Sequence, residues 1–182
     1  MATWRQVGEE VLYSDQATVL VDGAVVAELK RLAAGTRRRR MRLCAHPDPT
    51  APVHDMIIVH GRDAYVRPHR HPLKAESLHV IEGLAQALFF DVSGRIDEIA
   101  ALGPASSNRH FFYRMPPGRF HALVIESDWF VFAEATQGPF MPDTSEFPIW
   151  APPENSSVSA EYFAALRAAA IGGKSSAAPA ME

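Results

Sequence analysis

The chain has 182 residues, 47% hydrophobic and 21% charged, proportions of an ordinary globular domain that exclude wholesale disorder. Eighteen Lys and Arg against 21 Asp and Glu leave a formal charge of −3, which argues against a protein whose main business is coating nucleic acid or an anionic membrane. The single cysteine, Cys44, rules out an intrachain disulfide and fits a reducing compartment, and no stretch approaches the ~18 apolar residues of a membrane helix. The first ten residues carry acids where a signal peptide carries its apolar core, so a cytoplasmic protein is expected.

In chain order, residues 11–13 predict a short strand. From Asp22, apolar residues at Val25, Val26, Leu29, Leu32 and Ala33 have helical spacing, with Asp22 as N-cap and Gly35 as the C′ residue. An arginine-rich run, Thr36 to Cys44, and a Pro-rich loop, His46 to Pro52, follow. The texture then changes. Between Val53 and Ala135, runs rich in β-branched and aromatic residues fall at 56–60, 64–67, 77–81, 84–90, 95–101, 110–114, 121–125 and 129–133, with Gly and Pro turn signals between them. Short strands so spaced predict an antiparallel sandwich or barrel, not βαβ units. After Gly138 a Pro-rich segment is expected to pack on the sheet through Phe140, Phe147 and Trp150. Residues 159–170 read as a helix with Tyr162, Phe163 and Leu166 on one side, and 172–182 as a small-residue, disordered tail. Gly173-Lys174-Ser175 is no phosphate loop, because Ala168 stands where its first glycine belongs and no strand precedes it.

Histidine carries the chemistry. His69 and His71 are one residue apart, so on a strand both side chains leave one face. Glu76 follows a short loop and would return beside them in a hairpin. His121 comes after the tight turn Pro116-Pro117-Gly118 and heads a strand of its own. Three neutral imidazoles and a carboxylate can hold a divalent first-row ion such as Fe, Mn, Ni, Cu or Zn, with positions left for water or substrate. Histidines satisfied on a surface or in a core are the alternative.

The full pattern, His69-x-His71-x4-Glu76-x6-Gly83 followed by Pro116-x-Gly118-x2-His121, resembles the two signature motifs of the cupin superfamily. His110 stands where the second motif usually opens with glycine, and Ile125 where it often has asparagine; neither is a ligand position. The resemblance implies an all-β fold, a cupin-type small antiparallel β-barrel (double-stranded β-helix) with an N-terminal and a C-terminal helix. It also implies one divalent first-row ion (Fe, Mn, Ni or Zn) held by His69, His71, Glu76 and His121. A narrower likeness rests on residues 65–77, Arg42-Leu43-Cys44-Ala45-His46-Pro47 with the arginines before it, Gly138-Pro139-Phe140 and Trp150-Ala151-Pro152. These are similar to the WbuC family of cupin-fold metalloproteins, known from bacterial polysaccharide clusters, and imply a sugar-related ligand. The expected organisation is one structural domain: an N-terminal extension over 1–52, the barrel with its C-terminal wrap over 53–153, and a short helix and tail over 154–182.

Alternation extends the site. If the strand runs unbroken through Pro68, Arg67 and Tyr65 face inward with the histidines, and Arg67 would orient a carboxylate or phosphate; in solvent it is an edge-strand arginine. Lys74 is a second anion contact or a solvated loop lysine. Arg38, Arg40 and Arg42 share one face of a strand, which either lines an anionic pocket, with Arg40 as a substrate contact, or is a solvated or subunit-contact face. Glu134 is an acid–base candidate if inward and a rim carboxylate otherwise. His79 reads as structural on the opposite face, and His46, His54 and His60 have no assigned role beyond the chance that His46 closes over the pocket. The expected function is a metalloenzyme acting on a small polar or anionic metabolite, of isomerase, epimerase or lyase type. An Fe(II)-dependent dioxygenase and a non-catalytic binding or sensing module with a structural metal are the alternatives. A small-molecule ligand and a homodimer are the expected partners, with neither nucleic acid nor membrane.

Overall fold

The computed structural model describes residues 4–141 and 145–172. Strands β1 (Trp4–Gly8) and β2 (Val11–Ser14) precede helix α1 (Gly23–Gly35). Then come β3 (Arg40–Cys44), β4 (Val53–Gly61), β5 (Glu76–Glu82), β6 (Ala85–Phe90), β7 (Ile96–Leu102), β8 (Phe112–Met115), β9 (Phe120–Ile125), β10 (Trp129–Gln137) and helix α2 (Ser159–Gly172). A seven-stranded sheet, β1-β2-β3-β4-β10-β5-β8, faces a three-stranded sheet, β7-β6-β9.

The strand order defines the fold. His69 pairs with His121 in an isolated antiparallel bridge, so residues 69–70 lie along β9 as a remnant strand. Counting β4 as strand 1, this remnant as 2 and β5 to β10 as 3 to 8, the sheets read 1-8-3-6 and 2-7-4-5. That is the order of a jelly roll, a double-stranded β-helix. The architecture is therefore the cupin-type fold expected, built as two facing sheets rather than one hydrogen-bonded cylinder.

Four layers stack. Between the sheets lies a core that includes Ile58, Leu78, Phe89, Leu123, Phe130 and Phe132. α1 covers the outer face of the large sheet with Val26, Leu29 and Ala33 on Met41, Leu43 and Val59. α2 covers the small sheet with Tyr162, Leu166 and Ala170 on Leu88, Phe120 and Val124. Every residue of β9 is therefore buried, apolar on both faces except at His121.

Several elements differ from expectation. Asp22 caps α1 as predicted, accepting from the amides of Ala24 and Val25, but the helix takes in Gly35 and stops at Thr36, whose hydroxyl donates to Ala33 O. β1 was not legible, and β2 pairs parallel to β3. Residues 64–67 form no strand, because Pro68 and Pro72 remove amide donors on either side of the histidine pair and confine it to bridge geometry. Trp150 does pack on the sheet, its ring 5.1 Å from Phe90 and 5.7 Å from Phe120, whereas Phe140 and Phe147 stay half exposed. The expected disorder of the tail, and Gly173-Lys174-Ser175 within it, lie outside the described residues. No described helix is long and apolar enough to cross a membrane.

Candidate metal centre

The site forms where the two sheets meet. His121 is the second residue of β9, opposite Phe89 of β6, and alternation with Leu123 and Ile125 aims it between the sheets. The His69 amide donates to His121 O at 3.1 Å and the His121 amide to His69 O at 2.9 Å. The Gly118 amide, in the turn before β9, donates to His71 O at 2.8 Å. Gly118 has a φ of 83°, a left-handed turn conformation open to glycine. Arg70 points the other way, exchanging backbone bonds with Glu146 and pairing with its carboxylate. Glu76 reaches in from the other sheet, opening β5 opposite Thr136 of β10 and Met115 of β8.

One ring nitrogen from each of His69, His71 and His121 lies within 4.8 Å of the others, an arrangement that could hold a metal ion. Glu76 joins them, with Oε2 3.6 Å from His71 Nε2 and Oε1 3.7 Å from His121 Nε2. The backbone sets the tautomers. His69 Nδ1 lies 2.9 Å from Arg67 O and His121 Nδ1 3.2 Å from Arg119 O. A carbonyl only accepts, so each Nδ1 carries the proton and each Nε2 presents a lone pair. His71 Nδ1 lies 3.3 Å from Ser145 Oγ. Outer partners of this kind orient metal-binding imidazoles.

The electrostatics agree. Burial, reinforced by His71, lowers the His69 pKa to about 4, and burial with His69 holds His121 well below the usual imidazole range. Both rings are therefore neutral, as a ligand must be. Burial and then Glu134 push the Glu76 carboxyl well above its ordinary range. The buried Glu76, the half-buried Glu134 and three imidazoles converge, and among the described residues no ammonium or guanidinium pairs with Glu76. A divalent cation supplies the missing positive charge, so the donor set fits one.

Beyond these residues a cavity of about 430 Å³ opens between the sheets. It receives some of the expected contacts and not others. Arg40 and Lys74 line it, Arg40 held by Glu10 and Glu154, and Lys74 bonded through Nζ to Pro139 O. Glu134 lines it too, facing inward on β10 between Met56 and Leu78. Burial pushes its pKa up to about 7 against the opposing influence of Arg42.

Arg67 and Tyr65 do not face the histidines as alternation predicts. With the chain irregular at Pro68, alternation fails, and Val66 rather than Arg67 joins the cavity wall. The Arg67 guanidinium donates to Ala151 O at 2.8 Å and Pro148 O at 3.1 Å and lies over the Phe147 ring. Tyr65 donates its hydroxyl to Pro152 O and packs against Tyr162 and Phe163. Both fasten the C-terminal segment to the barrel. Arg67→Met should therefore cost about 1–3 kcal/mol of stability in thermal or urea unfolding, while metal affinity holds, because the carbonyl that orients His69 belongs to the backbone.

Glu134 yields a pH signature. Its folded pKa of about 7 exceeds the ordinary value of 4.5, so between these pH values the folded state keeps a proton that the unfolded state has lost. Its contribution is favourable below pH 4.5 and fades as pH rises to 7. In chelator-treated protein, the Tm of Glu134→Gln minus that of wild type should rise from pH 5 to pH 8. A difference independent of pH would contradict this.

His54, His60, Arg42 and Tyr113 also line the cavity, without having been singled out as site residues. His60 sits opposite Arg40 with its pKa lowered to about 3, by burial first, and its buried Nδ1 has no hydrogen-bond partner among the described residues. His46 stacks on His54 at 4.0 Å and bonds Asp55 O instead of closing over the pocket. His79 lies exposed beside Phe111 and Phe112, on the opposite face as expected.

A family model described as a domain of unknown function (DUF6016) matches residues 21–102. No curated protein matches the chain. Similar solved structures include an uncharacterized conserved protein with a double-stranded beta-helix domain from Klebsiella pneumoniae, 14% identical with a TM-score of 0.46, covering 60% of this chain and 79% of that one. KdgF from Halomonas sp. is 17% identical with a TM-score of 0.44, covering 57% of this chain and 82% of that one. The capsular polysaccharide assembling protein CapF from Staphylococcus aureus is 19% identical with a TM-score of 0.46, covering 60% of this chain and only 29% of its own. The chain likewise spans 43% of a DMSP lyase structure and 24% of an oxalate decarboxylase. These likenesses concern the fold, and the reading of the site rests on its own geometry.

Proposed function

We propose that the protein is a divalent-metal enzyme acting on a small polar, anionic metabolite by isomerase, epimerase or lyase chemistry. The observation that carries this reading is the convergence of His69, His71, His121 and Glu76, with the His69 and His121 tautomers set by backbone carbonyls, at the wall of a cavity that also holds Glu134. When bound, the ion supplies Lewis-acid polarisation of a substrate carbonyl or hydroxyl.

The chain's own groups supply the remainder. Glu134, with its carboxyl poised near neutral pH by burial, takes or returns a proton at its Oε atoms. Tyr113 lies across from Leu78 in the same cavity, its hydroxyl kept protonated by burial and by Glu76 and Glu134, and it donates a hydrogen bond to a substrate oxygen. The apolar residues Ile58, Leu78 and Phe132 exclude water from the wall between. The likeness to the WbuC family supports a sugar-derived substrate.

The test is conversion of hydroxy acids and keto sugar acids followed by NMR under argon, with metal-loaded and chelator-treated protein. Conversion lost with the chelator and restored by Mn²⁺ or Zn²⁺ is expected. Conversion that survives the chelator, or that requires O2, would contradict the proposal.

A further inference from the structure

Five arginines crowd residues 37–42, and four have evident partners. Arg37 donates to Asn155 Oδ1 at 2.8 Å. Arg38 and Arg40 share the carboxylates of Glu10 and Glu154. Arg39 lies over the Trp129 ring, 4.9 Å from its centroid. Arg42 differs: among the described residues its guanidinium has no hydrogen bond, ion pair or ring contact. It is nonetheless half buried and lines the cavity that holds the histidine cluster.

Its placement follows from β3. Met41 and Leu43 turn outward under α1, so Arg40, Arg42 and Cys44 turn inward. The Arg42 amide donates to Glu10 O at 2.9 Å, and its backbone is held between Val11 of β2 and Ile58 of β4. Ile58 pairs with Phe132 of β10, whereas Glu76 pairs with Thr136. Arg42 therefore stands three strands across the sheet from Glu76 and four residues along it. A ligand at the histidine cluster would extend along the cavity towards it. The cavity holds another unmet polar group there, since His60 Nδ1, on the next inward position of β4 after Ile58, has no hydrogen-bond partner among the described residues.

We infer that Arg42 is the recognition group for a single carboxylate of the substrate. A half-buried guanidinium without a protein partner has unmet donors, and its planar fork matches a carboxylate's two oxygens. The neighbouring charges favour one carboxylate group at the Arg42 fork over a doubly charged phosphate group, because Glu10 and Glu154 already balance Arg38 and Arg40. Glu134 feels the Arg42 charge without forming an ion pair with it, so it does not occupy the fork. This assignment rests on the reading of the cavity as a substrate pocket and names the substrate class for it.

The experiment titrates malonate and inorganic phosphate calorimetrically into wild type and Arg42→Gln, each with Mn²⁺ and each treated with chelator. Wild type should bind malonate in both states, more tightly than phosphate, and Arg42→Gln should bind it about tenfold or more weakly while taking up Mn²⁺ as wild type does. Equal malonate affinity in the two proteins, no malonate binding by chelator-treated wild type, or tighter phosphate binding would overturn the assignment. If the glutamine variant fails to fold, Arg42→Lys decides: weakened malonate binding supports the assignment and wild-type affinity overturns it. Arg42-dependent malonate binding by a wild type that takes up no Mn²⁺ would support the carboxylate site and overturn the metal reading alone.

Discussion

The double variant His69→Ala/His71→Ala should lose the divalent ion outright. Two of four donors disappear, and the remaining pair, Glu76 and His121, come from different sheets, with no third ligand to complete the set among the described residues. Affinity should fall well beyond the roughly 10–100-fold that loss of an outer partner costs. Calorimetric titration with Zn²⁺ or Mn²⁺ should show a saturable site in wild type and none in the variant, and the ion should raise the Tm of wild type alone. The fold should survive, because the bonds between residue 69 and residue 121 are made by backbone atoms. A variant that still binds metal stoichiometrically would remove these histidines from the centre.

Gly83→Ala should produce the largest loss of stability of any single change considered. Gly83 has a φ of 86°, and a Cβ there would sit 2.1 Å from Trp129 O and 3.1 Å from the Phe130 Cα, both backbone atoms that cannot swing aside. Left-handed strain adds to the clash, for a cost of about 3 kcal/mol or more and a fall of about 10 °C in Tm. Gly118 is the control. Its φ of 83° is nearly the same, but no atom of the described residues lies within 4 Å of the added one, so Gly118→Ala should cost only about 1–2 kcal/mol. Thermal unfolding of the pair separates conformational strain from steric exclusion, and equal losses would contradict this account. The last glycine of the histidine motif thus belongs to the packing of β5 and β10.

What could be read in advance followed from local chemistry. Asp22 announced its helix because a cap is a matter of adjacent residues, and the strand runs after Val53 were legible because alternation and turns are local. The histidine pattern was legible because its spacing is kept by short connections: a four-residue gap between His71 and Glu76, and the turn at Gly118 before His121. Arg67 and Tyr65 were misplaced because period-two reasoning assumes an unbroken strand, and Pro68 breaks it. The direction of Glu134 is not legible in the sequence because it depends on pairing with both β4 and β5, strands far from it in sequence. In the sequence Arg42 is one of three alternating arginines on a face that either lines a pocket or meets solvent. Nothing local distinguished it from Arg38 and Arg40, since what sets it apart is that Glu10 and Glu154 reach those two and not it.

The central claim is a divalent ion held by His69, His71, Glu76 and His121. Mass-spectrometric metal analysis of protein loaded with a divalent first-row ion and then dialysed tests it most directly. The account predicts close to one ion per chain in wild type. Protein that emerges from dialysis metal-free after loading with each of Fe, Mn, Ni and Zn would contradict it.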